Sequence, residues 1–354
     1  MTIGHALSFR IPGRGEEPGC RPSRARGWTG RTGLAACFGL ALTAAAAASD
    51  VVVFTDRDLG EGAAAAVAPL RTQGRAVEAD VRAVDAACTT TPGNRVRLAV
   101  VPRTPTQAEI DVCTGGIGAD AVVIPIGHQA LALATPANGP VFSVASADLF
   151  RALGANAAGT PPATWSSLGA GYPAAPISVL AAPAGSMARQ VFEAQMETGC
   201  QAMVPAASLP FDRAGRLAFC GALRAGPSVK QRQAGIQPVA DWAKTAGPGA
   251  IALVSVTELP ALDGVVNPLL IDNVLPSAAN ISDGRYPARR AVNLVIVLPR
   301  SADAYRRDAA RSAAFELTSE AMIGPGGALT RAGLIALPPT QRLEARTKAV
   351  AFIE

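Results

Sequence analysis

Histidine is nearly missing from this chain of 354 residues, which has only His5 and His128. Without more of it, the usual zinc-ligand sets and the usual base of a nucleophile–base pair are gone. Lysine is almost as scarce, with Lys230, Lys244 and Lys348 alone, so Arg carries the positive charge. Aromatic residues make up 5% of the chain. No dense basic patch with interleaved aromatics stands out, which sets nucleic-acid binding aside. No run approaches the ~20 strongly apolar residues that each span of a multi-pass membrane protein needs. There is no internal repeat, and the 35 Gly follow no period of three, which excludes a collagen-like chain. Gly-x-Ser-x-Gly, a Walker loop and metal-ligand clusters are all lacking. Gly115-Gly116-Ile117-Gly118 does not fit a dinucleotide fingerprint, because a strand-like run follows it and no helix. These absences predict a protein that is not an enzyme, with no catalytic residue, no metal and no cofactor.

What is present is apolar surface, 49% of residues, mostly Ala and Val. That excludes a disordered chain and allows one large domain or two lobes. The net charge of +5 is uneven: residues 1–48 hold six Arg against two Glu, leaving the rest near neutral. Residues 1–31 are basic and rich in Gly and Pro, and residues 33–48 are uncharged. A basic segment, an apolar run and small residues at Ala46 and Ala48 predict a signal peptide over 1–48, cleaved near Ala48. Cys20 and Cys37 fall inside it. Cys88, Cys113, Cys200 and Cys220 remain, an even number at spacings that do not suit zinc. Four Cys allow three pairings, and the simplest joins sequence neighbours, Cys88 with Cys113 and Cys200 with Cys220. Loops of that size contribute roughly 3 kcal/mol each in an oxidising compartment.

Beyond the leader, strand and helix patterns alternate. Strands are expected over residues 51–54, 97–101, 121–126, 177–181, 251–256, 269–274 and 292–298. Helices are expected over 61–71, 107–113, 146–153, 187–198 and 308–322, with Gly199 as a C-cap. Continuous apolar strands such as 121–126 predict a sheet covered on both faces, and the alternation predicts an α/β fold with mostly parallel sheets flanked by helices. His128 reads as a solvated loop residue at a strand end.

The most informative local pattern is Pro183-Ala184-Gly185-Ser186-Met187-Ala188-Arg189. A strand, a loop of small residues and a helix capped by Ser186 make a natural anion site, to which Arg189 could add a bidentate contact. The pattern equally suits an ordinary cap with Arg189 paired to Glu193 one turn on.

Several spaced segments resemble the periplasmic phosphate-binding proteins of ABC transporters. Leu270-Ile271-Asp272-Asn273-Val274-Leu275-Pro276, continuing to Asn280-Ile281-Ser282-Asp283-Gly284-Arg285-Tyr286-Pro287, resembles one family stretch. Ile323-Gly324-Pro325-Gly326-Gly327-Ala328-Leu329 with Gly333-Leu334-Ile335, and Thr164-Trp165-Ser166-Ser167-Leu168, resemble two others. Val101-Pro102-Arg103-Thr104-Pro105-Thr106-Gln107-Ala108-Glu109, with Cys113 after it, resembles a fourth.

The resemblance implies a two-lobe type II periplasmic-binding-protein fold with two crossing hinge strands. Lobe 1 would be residues 49–127 plus 293–354, and lobe 2 residues 128–292. It implies a periplasmic monomer that captures phosphate or a similar small oxyanion for an ABC transporter permease. Carried over residue by residue, the ligand-binding set is Thr55, Arg103, Ser186 and Arg189. The ligand loops depart from the family pattern. The first stands as Phe54-Thr55-Asp56-Arg57-Asp58, whose two carboxylates repel phosphate unless Arg57 offsets them. The second, Gly-rich in the family, has no counterpart in residues 78–83. The third, Ser186-Met187-Ala188, loses a hydroxyl. These departures leave a second expectation open: a paralogue that keeps the fold for sensing or protein interaction.

Overall fold

Val-rich runs become strands, as β-branched side chains favour. In a computed structural model, residues 50–354 are described, except 60, 74, 90–94 and 117. The leader expected over 1–48 lies outside them. The strands are β1 (Val51–Asp56), β2 (Ala76–Val81), β3 (Val96–Val101), β4 (Ala119–Pro136), β5 (Ser143–Val144), β6 (Ser178–Ala181), β7 (Val229–Gln231), β8 (Ala250–Ser255), β9 (Val266–Pro268), β10 (Leu270–Ile271), β11 (Arg289–Pro299) and β12 (Ile335–Ala336). The helices are α1 (Glu61–Val67), α2 (Ala83–Thr89), α3 (Gln107–Asp111), α4 (Ser146–Leu153), α5 (Met187–Met203), α6 (Arg213–Gly221), α7 (Gln237–Ala243), α8 (Ala278–Ser282), α9 (Ala304–Leu317), α10 (Glu320–Ile323), α11 (Ala328–Arg331) and α12 (Pro339–Ile353).

Two long strands organise the rest. β4 and β11 run antiparallel from the Arg289↔Ala130 pair to the Pro299↔Ala119 pair, with a bulge between Val292 and Asn293. Outward from β11 come β3, β1 and β2, with β1 parallel to both of its neighbours. The far half of β4 pairs with β8 and β9, and β6 and β7 continue in parallel. Parallel pairing, expected for most of the sheet, is therefore confined to the wings and to the small β5–β10 pair. The crossing strands are antiparallel to every partner, and to each other because one carries the chain from the first wing to the second and the other brings it back.

Each wing buries both of its faces. On one wing, Val53, Leu98 and Ile296 pack against α1, α9 and α12, while Phe54, Val101 and Val295 pack against α2. On the other, Leu131, Val179 and Leu253 pack with Trp165 and Phe192, and Ala132, Ala252 and Val239 close the opposite face. This double covering is why the strands read as unbroken apolar runs. Tyr286 and Trp165 are fully buried and spend their polar atoms on main-chain oxygens, Leu131 O at 2.8 Å and Gly249 O at 2.7 Å. Disulfides join Cys88 to Cys113 and Cys200 to Cys220, the simplest of the three pairings.

Four local expectations need correction. The helix expected over 61–71 ends as α-helix at Val67 and continues as a 3-10 stretch, Ala68–Gln73, because Pro69 has no N–H to donate. The helix over 308–322 is two helices. Thr318 turns its hydroxyl back to Ala314 O at 2.7 Å and ends α9 there. Residues 269–274 form only the short β10 before Asp272 and Asn273 turn left-handed at φ 49° and 64°, which Asp and Asn tolerate. Gly199 is no cap: it lies inside α5, where a Cβ would collide with Ser146 O of α4. Its job is to let the two helices approach. Helix α12, which opens on Pro339, is not among the helices expected from the sequence.

Candidate functional site

Between the two wings lies a cavity of about 590 Å³ with a strongly charged lining. β1 ends at its wall, and the 3-10 turn Arg57–Leu59 follows. Asp56 comes from the end of β1, Arg57 and Asp58 from this turn, Arg82 and Asp85 from the start of α2, Arg103 and Thr106 from the β3–α3 connection, and Glu109 from α3. Arg213 and Leu217 of α6 close it from the opposite wing. The Cys200–Cys220 bridge ties α6 to α5 and so fixes that wall. A cavity of similar volume beside α8 and α11 is lined mainly by apolar groups, and its Arg342 already pairs with Glu320 at 2.9 Å.

The charges in the cleft are not equally available. Arg103 donates Nη1 to Glu109 Oε2 at 2.8 Å and Nη2 to Oε1 at 2.5 Å, a fork-to-fork pair. Glu109 Oε2 also accepts from Thr106 N at 2.7 Å and Thr106 Oγ1 at 2.9 Å, closing a capping box on α3. The Arg103 bond dominates in holding the Glu109 carboxyl down at about 2. Asn293, at the bulge in β11, donates to Arg103 O at 2.9 Å. Asp56 accepts from Asp58 N and from Ala83 N, both at 3.0 Å. Burial still raises the Asp56 carboxyl above its usual range, more than the two backbone donors lower it. Arg57 and Arg213 remain, both exposed, and neither has an ion-pair partner among the described residues.

Arg290 sits where the cleft meets the crossing strands. Its Nε and Nη2 reach Gln129 Oε1 at 2.9 and 2.7 Å, its Nη1 reaches Gln190 Oε1 at 2.7 Å, and its Nη2 reaches Asp58 O at 2.7 Å. Gln190, on the first turns of α5, donates in turn to Asp58 Oδ1 at 3.2 Å. Burial lowers the Arg290 guanidinium to about 10, still a cation at neutral pH. One side chain thus joins both walls of the cleft to a crossing strand.

Of the four expected ligand residues, Arg103 alone lines the cavity. Thr55 is buried, and its hydroxyl has no hydrogen-bond partner among the described residues. Ser186 caps α5, accepting from Arg189 N at 3.3 Å while donating to Pro183 O at 2.7 Å. Arg189 pairs with Glu193 at 2.8 Å. The structure therefore does not bring the four together in this cavity. Arg213 escaped the sequence reading, although the Asp212 cap just before a basic residue was a usable signal. Arg290 and Gln129 gave none, since their meeting depends on the pairing of β4 with β11. His128 is not a solvated loop residue. It lies within β4, is 7% exposed, and has Nδ1 3.3 Å from Arg289 Nη1. Burial first, and then the Arg289 charge, lower it to about 4.

A family model described as the PBP superfamily domain matches residues 44–319. No curated protein matches the chain significantly. Solved structures do. A possible phosphate binding protein from Planctomyces limnophilus aligns with a TM-score of 0.61 and 15% identity over 86% of this chain and 98% of its own. PstS from Borrelia burgdorferi aligns at 0.57 and 13% identity, over 81% of this chain and 99% of its own. An ABC-type phosphate transport receptor from Vibrio cholerae aligns at 0.53 and 15% identity, over 81% and 100%. Such identities speak for the shared fold alone. The family match spans both wings and both crossing strands, so the chain belongs to the PBP superfamily domain family and has the type II periplasmic-binding-protein fold.

Proposed function

We propose that this protein is a periplasmic solute receptor, which captures a solute bearing an oxyanion, phosphate or a related group, and presents it to an ABC transporter permease. In this reading residues 49–127 with 293–354 form one lobe and 128–292 the other, hinged on β4 and β11 near residues 127 and 293. The leader over 1–48 directs export, and the two disulfides suit an oxidising compartment.

One observation carries the reading. A charged cavity has walls from both proposed lobes, and each contributes a guanidinium that no carboxylate among the described residues neutralises, Arg57 from one and Arg213 from the other. An oxyanion between them would draw the lobes together, which is how a hinged receptor converts binding into closure. The test is calorimetric titration of residues 49–354, disulfides intact, with inorganic phosphate, sulfate, phosphomonoesters and carboxylates. At least one oxyanion binds at micromolar levels or tighter, and the Arg57→Ala/Arg213→Ala double variant loses it. If none binds to folded protein, the reading falls.

A further inference from the structure

The cleft differs from a site for a bare ion in three respects. Its volume, about 590 Å³, is several times what a tetrahedral ion fills and lies within the range of ~300–1,000 Å³ that holds small organic molecules. Its neutral donors are already in use. The Asp56 carboxylate occupies the N–H groups of Asp58 and Ala83, and the N–H and hydroxyl of Thr106 both donate to Glu109. A desolvated dianion depends on many such donors to share its charge. Its lining is also mixed in sign: Asp58 and Asp85 face the same space as Arg57, Arg82 and Arg213, while Glu109 is held by Arg103.

These features fit one kind of occupant. The exposed guanidiniums of Arg57 and Arg213 can grip a terminal oxyanion bidentately at the wet mouth of the cleft. The lining carboxylates accept hydrogen bonds and repel further negative charge, so the remainder of the solute must present donors. Hydroxyl groups do this without adding charge. Thr106, whose hydroxyl oxygen both donates to Glu109 and accepts from its N–H, shows that wall already organised around hydroxyl-to-carboxylate bonding. We propose that the cleft is built for a small polyhydroxylated organic oxyanion, held at its charged end by Arg57 and Arg213 and along its hydroxyls by the lining carboxylates. This rests on the receptor reading above and names the class of its solute.

The experiment is calorimetric titration of residues 49–354 with five probes. D-ribose 5-phosphate and sn-glycerol 3-phosphate carry a phosphomonoester, D-gluconate carries a carboxylate, and inorganic phosphate and ribose each lack one half of the class. At least one of the first three binds tenfold or more tighter than inorganic phosphate and than ribose, and which of them does so identifies the charged end. Arg57→Ala and Arg213→Ala each weaken that binding at least tenfold, with urea midpoints unchanged. If inorganic phosphate binds as tightly as the organic probes, this proposal is overturned while the receptor reading stands. If no oxyanion binds, both fall. If ribose matches ribose 5-phosphate, the arginine grip is refuted.

Discussion

Replacing Arg290 by Ala removes four hydrogen bonds from a half-buried guanidinium and leaves their acceptors behind. Gln129 is 2% exposed, and its Oε1 loses both donors that Arg290 supplies. A buried acceptor stranded in this way costs ~1–3 kcal/mol. Gln190 Oε1 and Asp58 O lie nearer water and recover part of their loss by hydration. Hydrogen bonds to a charged group contribute ~1.5–3 kcal/mol each but do not add fully, so a total of about 3 kcal/mol is expected. Arg290→Lys keeps the charge without the fork and should lose about half of this. The assay is urea unfolding followed by circular dichroism, with a double-mutant cycle between Arg290→Ala and Gln129→Ala. A coupling energy of about 1–2 kcal/mol is expected for groups in direct contact. Arg290 also bonds across the cleft, so small-angle scattering of folded Arg290→Ala should show a larger radius of gyration than wild type. A loss below about 0.5 kcal/mol, within the range of ordinary surface substitutions, or purely additive effects in the cycle, would refute the reading that Arg290 joins both walls of the cleft to β11.

Three further outcomes are expected. His128 titrates near 4 when folded, against an ordinary value of 6.5 when unfolded, so on acidification the unfolded chain takes up the proton first. The His128 contribution to stability is flat above pH 7 and falls between about pH 6.5 and 4, by up to about 3 kcal/mol; urea midpoints of wild type and His128→Gln across that window measure it, and an unchanged slope in His128→Gln would contradict the cause. Gly199→Ala should destabilise by about 1–3 kcal/mol despite the better helix propensity of Ala, because the new methyl meets Ser146 O; thermal melting at or above the wild-type temperature would contradict this. Removing the Cys200–Cys220 bridge as a double Ser variant should cost about 2–4 kcal/mol. That loss should vanish when wild type and variant are compared under reducing denaturation.

Much of the fold was legible because its signals are local. The run Val292 to Leu298 is apolar at every position but Asn293, as a strand covered on both faces requires. Ser186 and Thr106 cap α5 and α3 from their own neighbouring residues. Elements whose limits depend on contacts were misjudged. β4 extends through Gly127 and His128 to Pro136 because β11, β12, β8 and β9 supply partners along its length. Gly199 suggested a helix end, since in sequence a glycine for close packing looks the same as a glycine for a turn.

The site divides along the same line. Residue types and motif order determined the class of scaffold, the even set of four cysteines beyond residue 48 and the predominance of arginine over lysine. The spacing offered the Arg189–Glu193 pair as one alternative, but which arginines lack an ion-pair partner among the described residues was decided in three dimensions. Arg103 is neutralised by Glu109 six residues away and Arg189 by Glu193 four residues away, whereas Arg57 and Arg213, distant in the chain, meet over one cavity. Asp56 reaches a backbone N–H 27 residues further on. Local propensity acts over a turn or two of chain, but the availability of a charge depends on every group that folding brings within a few ångströms. That is why the tertiary structure, and not the motif, determines what the cleft can hold.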